Sequence, residues 1–304
     1  MILKRILSVF IIFLLLVPSV MLSVYAETGQ TDESYNKYDF LATLDIISVN
    51  KSNAENKITR GEFAYILSKA TKADINSNVN IMNYKDVSAD STYLGAIDAM
   101  SGLGIFTGSD SCFYPDQYVK NEEAVKSLVT LLGYKWLAEK SGGYPTGYYI
   151  ALPNLIKDIS LQTGLEVNRL TVAKLIYNAF HIEFSENSTF KGKLMDLHNV
   201  KKLTGVITGN CDTKLTEESN MENECVELNN SIKLYAGKTN APAYLGYKVD
   251  CYTQSKKGEE FDTIISVQPV TSTHTLSIAS NKFIEFKDGN YKYYDDFEKN
   301  RTAY

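Results

Sequence analysis

Ile58-Thr59-Arg60-Gly61-Glu62-Phe63-Ala64 is the stretch on which the fold turns. Thr59 and Glu62 have the spacing of a capping box, in which the hydroxyl accepts from the N–H of residue 62 and the carboxylate accepts from the N–H of residue 59. Ile58, just outside the helix, can close over Phe63 as a hydrophobic staple. Phe63, Ile66, Leu67 and Ala70 then recur at i, i+3, i+4 and i+7, the stripe of an amphipathic helix with one buried face. Arg60 does not fit this account. A cation in the first turn opposes the helix dipole, so its removal is expected to leave the fold unchanged or slightly more stable.

The same design recurs along the chain. Val167-Asn168-Arg169-Leu170-Thr171-Val172-Ala173 opens a stripe of Val172, Leu175, Ile176 and Ala179, with Arg169 in the place of Arg60. Val119-Lys120-Asn121-Glu122-Glu123-Ala124 is a weaker copy, followed by Leu128 and Leu131. The segment leading into each start is fullest before the middle one, as Asp86-Val87, Tyr93, Ala96-Ile97, Gly104-Ile105, Gly108 and Pro115. This predicts three helix–loop–helix units of roughly 50–60 residues, a repeat architecture. Helix-terminal N–H groups with a guanidinium beside them suit a carboxylate or phosphate. One such place per unit implies a repetitive anionic ligand, captured by avidity.

These residues resemble the S-layer homology (SLH) domains found as three tandem copies on surface proteins of Gram-positive bacteria. The similarity covers about residues 35–181 and rests on the Asp86-Val87 start, the Gly104-Ile105 turn with Gly108, Phe113-Tyr114-Pro115 and the helix start at Thr59. The resemblance implies a three-fold pseudo-symmetric helical bundle. It also implies non-covalent binding of pyruvylated secondary cell-wall polysaccharide, with the motif arginine reaching the acidic ketal. Carried over position by position, the ligand-binding residues are Arg60 and Arg169. Lys120 and Asn121 stand where Thr-Arg is usual, and Tyr93 stands where a tryptophan often follows the start. The first copy is shortened, the third has Thr171 in place of Glu, and Pro153 interrupts the third copy's first helix. Trp136 is expected to pack in the core rather than line a sugar groove.

Outside the repeats the pattern changes. Lys4-Arg5, an apolar run from Ile6 to about Leu22 and Val24-Tyr25-Ala26 read as a signal peptide over residues 1–26, cut before Glu27. Residues 27–37 read as a linker, 38–182 as the three repeats (about 38–75, 82–134 and 135–181) and 183–200 as a connector. Residues 201–304 read as a small β-rich domain. Its short alternating runs are Thr204–Thr208, Cys225–Leu228, Tyr244–Tyr252, Asp262–Val267 and Lys282–Phe286. Asp288-Gly289-Asn290 suits a hairpin turn before Tyr291. The fold class is therefore α + β in separate domains, a three-repeat helical SLH-like bundle followed by a small antiparallel β-domain.

Composition bounds the function. The 304 residues are 44% hydrophobic and 22% charged, which excludes a disordered chain. Thirty-one basic against 36 acidic residues give −5, and loss of Lys4 and Arg5 with the signal peptide makes it −7. A strongly basic nucleic-acid binder is excluded, and no membrane partner is expected after signal cleavage. Cys211 and Cys225 can close a polar loop as a disulfide, or all four cysteines stay free. The scattered histidines give no metal site. There is no GxSxG, HExxH, P-loop or GxGxxG after a strand, so no catalytic residue, enzyme activity or cofactor is expected. The expected protein is secreted and anchored on anionic secondary cell-wall polysaccharide at the wall or S-layer surface. The alternatives are an enzyme or accessory acting on extracellular polysaccharide, and a self-assembling lattice subunit in which the partner is a second copy.

Overall fold

The computed structural model describes residues 33–75, 82–212, 214–215, 222, 224–270, 277–280, 283–286 and 289–292. The expected signal peptide lies outside the described residues, as do His274 and most of the linker. The chain divides into two units, 1–36 and 37–304. Of the first, only the opening turn of helix α1 (Glu33–Thr43) is described. The second carries α2 (Arg60–Ala70), α3 (Leu94–Gly102), α4 (Asn121–Leu131), α5 (Lys135–Lys140), α6 (Thr146–Ala151), α7 (Arg169–Ala179) and α8 (Leu194–Leu197), with strands β1–β8 after them. The architecture is α+β.

Three helices of equal length, α2, α4 and α7, begin where the capping signals place them. At α2 the box is complete, with Glu62 N–H donating to Thr59 Oγ1 at 3.3 Å and Thr59 N–H donating to Glu62 Oε2 at 3.0 Å. At α4 only the carboxylate half exists, because the Lys120 ammonium cannot accept; Lys120 N–H donates to Glu123 Oε2 at 2.9 Å. At α7 only the other half exists, and Asn168 Oδ1 accepts from Thr171 N–H at 2.8 Å. The residues just before the caps, Ile58, Val119 and Val167, are at most 1% exposed. Their backbones bond to one another in a closed ring. Ile58 N–H donates to Val167 O (3.1 Å), Val167 N–H to Val119 O (2.8 Å) and Val119 N–H to Ile58 O (3.0 Å). Burial of these peptide groups is affordable only because each finds a partner across the ring. A second set of bonds runs round the same three starts in the opposite sense: Arg60 N–H to Gln117 O, Asn121 N–H to Leu165 O and Arg169 N–H to Asn56 O.

Strands β1 (Val200–Gly209), β2 (Cys225–Leu228), β3 (Ile232–Tyr235), β4 (Lys248–Gln254) and β5 (Thr263–Pro269) form a closed barrel in the order β1-β2-β3-β5-β4. The expected sheet was antiparallel throughout; the observed one is mixed, because β3 meets β5 in parallel at Tyr235 and Thr263. One strand serves two neighbours. β1 pairs with β4 from Val200 to Val206, then with β2 past an irregularity between Ile207 and Gly209, the kind of bulge that bends a strand. Ile207, Val226, Leu228, Leu234, Val249 and Ile264 fill the barrel, and a 3₁₀ turn at Ala241–Tyr244 between β3 and β4 adds Ala241 to that core. β6 (Ser277–Ser280), β7 (Phe283–Phe286) and β8 (Gly289–Lys292) form a separate antiparallel meander. Phe286 pairs with Gly289 and Glu285 with Asn290, so Gly289 and Asn290, expected in the turn, belong to the strand, while Asp288 lies outside the described residues.

Helices and barrel were expected as separate domains, but residues 37–304 form one compact unit. Tyr252 of β4 lies 4.9 Å from the Phe40 ring, and its hydroxyl is 2.7 Å from His181 Nε2 and 2.9 Å from the Tyr177 hydroxyl. His181 Nδ1 lies 2.8 Å from the Tyr177 carbonyl, which can only accept, so Nδ1 carries the proton and Nε2 accepts from Tyr252. His198 donates from Nε2 to Ala70 O at 2.9 Å, while Gln254 Nε2 donates to His198 O. Two smaller expectations are also revised, and one open alternative is decided. Trp136 is 46% exposed with the Lys140 ammonium 5.3 Å from its ring centroid, so it is not a core residue. The helix expected to be broken at Pro153 is broken earlier, between α5 and α6, where Gly142 and Gly143 take φ of 114° and 68°. All four cysteines are free.

Candidate ligand groove

The first residues of α2, α4 and α7 do one job with three side chains. Arg60 donates from Nε to Phe113 O at 3.0 Å and from Nη2 to Thr107 O at 3.3 Å, both in the loop before α4. Its guanidinium lies 4.9 Å from the Phe113 ring centroid. Burial pulls its pKa below the ordinary arginine value, opposed by Glu123, Tyr84 and Asp86. Asn121 donates from Nδ2 to Gln162 O at 2.9 Å in the loop before α7. Arg169 donates from Nη1 to Asn53 O, Asn56 O and Lys57 O at 3.3–3.5 Å in the loop before α2. The cation at a helix start thus has a structural cause: it pins the loop of the neighbouring helix start.

This sorts the expected site residues. Asn121 is 7% exposed and its side chain is bonded inward to the loop before α7. Arg60 is turned toward two carbonyls and an aromatic ring, and lines neither of the grooves described below. Lys120 is exposed and also stands apart from both. Arg169 and Tyr93 are brought together. They line a groove of about 620 Å³ with Glu55, Glu62, Asp116 and Tyr118, and a second of about 410 Å³ on the side of Tyr38 and Lys69. Glu62, Tyr93 and Arg169 are common to both and form the wall between them.

At that wall Glu62 works at both ends. Oε2 caps α2 through Thr59 N–H, while Oε1 forms an ion pair with Arg169 Nη2; the two side chains are about a quarter exposed, 25% and 24%. Tyr93 lies over Gly61, where an added Cβ would sit 2.6 Å from its Cδ2, so the aromatic wall requires glycine at the second position of α2. Burial, with Glu62 next, raises the Tyr93 pKa. Lys57, the other cation of the groove, is salt-bridged to Glu166 and lies 5.5 Å from the Tyr118 ring centroid. Glu55, Asp116, Tyr118 and Lys57 carry no repeat-wide signal, so sequence periodicity did not single them out. The signal for Glu62 was present but is spent on capping, and the pairing of its other oxygen with Arg169 shows only in three dimensions.

The segment that carries Tyr93 is tightly specified. Asp86 accepts from Phe113 N–H at 2.8 Å and Tyr114 N–H at 2.7 Å, clamping the loop that Arg60 also holds. Gly104, with φ of 68°, ends α3 and lets Ile105 N–H return to Met100 O at 3.0 Å. The S-layer homology domain family model matches residues 83–125, which span this clamp, α3 and the start of α4. The chain therefore carries an S-layer homology domain, a class that points to attachment at the cell surface through wall polymers. No curated protein matches the chain. Among the described residues no helix is long and apolar enough to cross a membrane.

Proposed function

We propose that this is an exported surface protein, held without a covalent bond on a secondary cell-wall polysaccharide, and that its role is attachment rather than catalysis. Residues 38–182 serve as three related helical units, about 38–75, 82–134 and 135–181, with residues 183–200 joining them to the β-rich part. The observation that carries the reading is the closed ring at Ile58, Val119 and Val167. Three helix starts exchange equivalent backbone bonds there, and the middle one lies within the matched S-layer homology segment. The acidic ketal of a pyruvylated polymer is the ligand that the family resemblance implies, and Arg169 with Tyr93 is the place in this chain that can receive it. Avidity from one equivalent site per unit is not supported, since Arg60 is engaged internally and Asn121 is buried.

The barrel gives a second reading for residues 201–304. A five-stranded barrel is similar to the OB architecture, which binds oligonucleotides and oligosaccharides on its β2–β3 side. Here that side carries Tyr235, 5.5 Å from Phe261 between ring centroids, among Glu222, Glu259 and Glu260, with one cation, Lys233, 5.9 Å from the Phe261 ring centroid. Such acidity disfavours nucleic acid and leaves a sugar contact beside the anchor. The test of attachment is co-sedimentation with purified wall sacculi before and after the secondary polymer is removed. Pelleting that depends on the polymer is expected. Equal pelleting with stripped sacculi refutes the reading, and release of soluble sugar from the sacculi would return the protein to the enzymes.

A further inference from the structure

Resting on the reading of the Arg169 groove above, we infer that Glu62 is a built-in competitor for the ligand's acid and sets how strongly the groove favours a carboxylate over an uncharged sugar. The groove is not electropositive. Its charged lining residues are Glu55, Glu62 and Asp116 against Lys57 and Arg169, an excess of one negative charge. Both cations already have carboxylate partners, Lys57 with Glu166 and Arg169 with Glu62. An anionic ligand therefore finds no unpaired cation in this groove and must take one from a protein carboxylate.

The geometry says which one exchanges. Arg169 Nη1 is held by the carbonyls of Asn53, Asn56 and Lys57, a fixed backbone seat. Nη2 is held by a side chain, Glu62 Oε1, at the wall where both grooves meet. A ligand carboxylate displaces Oε1 from Nη2 while Oε2 stays on Thr59 N–H and the helix cap survives. Glu55 does not move into the vacated place, because Asn168 Nδ2 holds its Oε2 at 2.8 Å. Loading the site thus costs one ion pair for each one made, and leaves two carboxylates facing each other across the same guanidinium. That arrangement favours strict geometry over strong affinity for charge.

The third of the equivalent positions supports the pairing as a unit. Glu62, third residue of α2, meets Arg169, first residue of α7. Glu123, third residue of α4, acts electrostatically on Arg60, first residue of α2. At the remaining junction the third residue of α7 is Thr171 and the first residue of α4 is Asn121, so both charges are missing together. An arginine that served the ligand alone would not have to lose its glutamate with it.

Glu62→Gln is a clean perturbation, because glutamine at the third position still completes a capping box. The probes are a methyl glycoside carrying a 4,6-pyruvate ketal and its uncharged methyl ester, titrated calorimetrically into the full chain, Glu62→Gln and Arg169→Ala. The proposal expects Glu62→Gln to bind the acid roughly tenfold more tightly than wild type, with the ester unchanged and the melting temperature preserved. If wild type binds the acid, Arg169→Ala loses it and Glu62→Gln binds no better, the competition is refuted while the groove assignment stands. If Arg169→Ala binds the acid as wild type does, or wild type does not bind it, the groove assignment fails and the proposal with it.

Discussion

Replacing Arg60 by alanine tests the structural account most directly, since sequence and structure predict opposite signs. Read in sequence, Arg60 is a cation against the helix dipole, and its loss relieves about 0.3–1 kcal/mol. In the structure it makes two hydrogen bonds to carbonyls 53 and 47 residues away and stacks near Phe113. A bond from a charged donor is worth about 1.5–3 kcal/mol where it is well formed. The Phe113 contact, at 3.0 Å and partly buried, approaches the lower figure; the exposed Thr107 contact at 3.3 Å adds less. Stacking contributes about 0.5–1 kcal/mol. Against these stand the dipole relief and the guanidinium's burial, which lowers its pKa. The net expectation is a loss of about 2 kcal/mol, or roughly 4–8 °C in melting temperature for a folded unit of this size. Thr59→Ala should cost about 1 kcal/mol, the usual value of an N-cap. Arg60→Lys should fall between wild type and alanine, because an ammonium cannot span both carbonyls with a planar fork. Thermal melts by circular dichroism decide it. An Arg60→Ala protein melting within about 1 °C of wild type would refute the clamp and return Arg60 to the candidate ligand residues.

Two further outcomes follow from the packing and the junction. Gly61→Ala places a methyl 2.6 Å from Tyr93 Cδ2 and should cost about 1–3 kcal/mol, while shifting Tyr93 fluorescence; an unchanged urea midpoint would mean the Tyr93 wall is free to move. Burial holds the pKa of both His181 and His198 below the ordinary 6.5, helped at His181 by Lys202, Lys193 and Lys37 and at His198 by Lys72. The unfolded chain then takes up protons first, so stability is whole above about pH 6.5 and falls as the pH drops below it. Melting temperature should decline from about pH 7 to pH 5, and His198→Gln, which keeps a donor for Ala70 O, should blunt the decline; an equally steep decline in that variant would locate the effect elsewhere.

Local grammar was legible in the sequence, and long-range pairing was not. The start of α2 at Arg60, with its cap and buried stripe, follows from residues 58–70 because every force involved acts within two turns. The weaker starts at Asn121 and Arg169 were found through their likeness to it. What Arg60 and Asn121 touch could not be read, since their partners Phe113, Thr107 and Gln162 are ordinary backbone carbonyls with no sequence signature. Alternation placed strands in the β-rich region in outline, but it marked only Thr204–Thr208 of β1 (Val200–Gly209), and the parallel contact of β3 with β5 rests on a single residue pair. Tyr252 looked like one tyrosine among 21; only its register opposite Lys202 on β1 and Ser266 on β5 brings it under Phe40 and His181.

The ring at Ile58, Val119 and Val167 also governs how the chain can be shortened or assembled. A protein ending after the second helix start keeps the bond from Val119 to Ile58 but strands the Ile58 N–H and the Val119 carbonyl. Each group left unpaired in an apolar setting costs about 1–3 kcal/mol. Arg169 and Asn56 stand 113 residues apart, so during synthesis the first helix start waits for the last before any of the three is finished. Three is then the smallest number that closes, and the helical units are not beads to be added or removed one at a time. A fragment carrying two of them should remain open, soluble only with help, and unable to hold the groove that the third one completes.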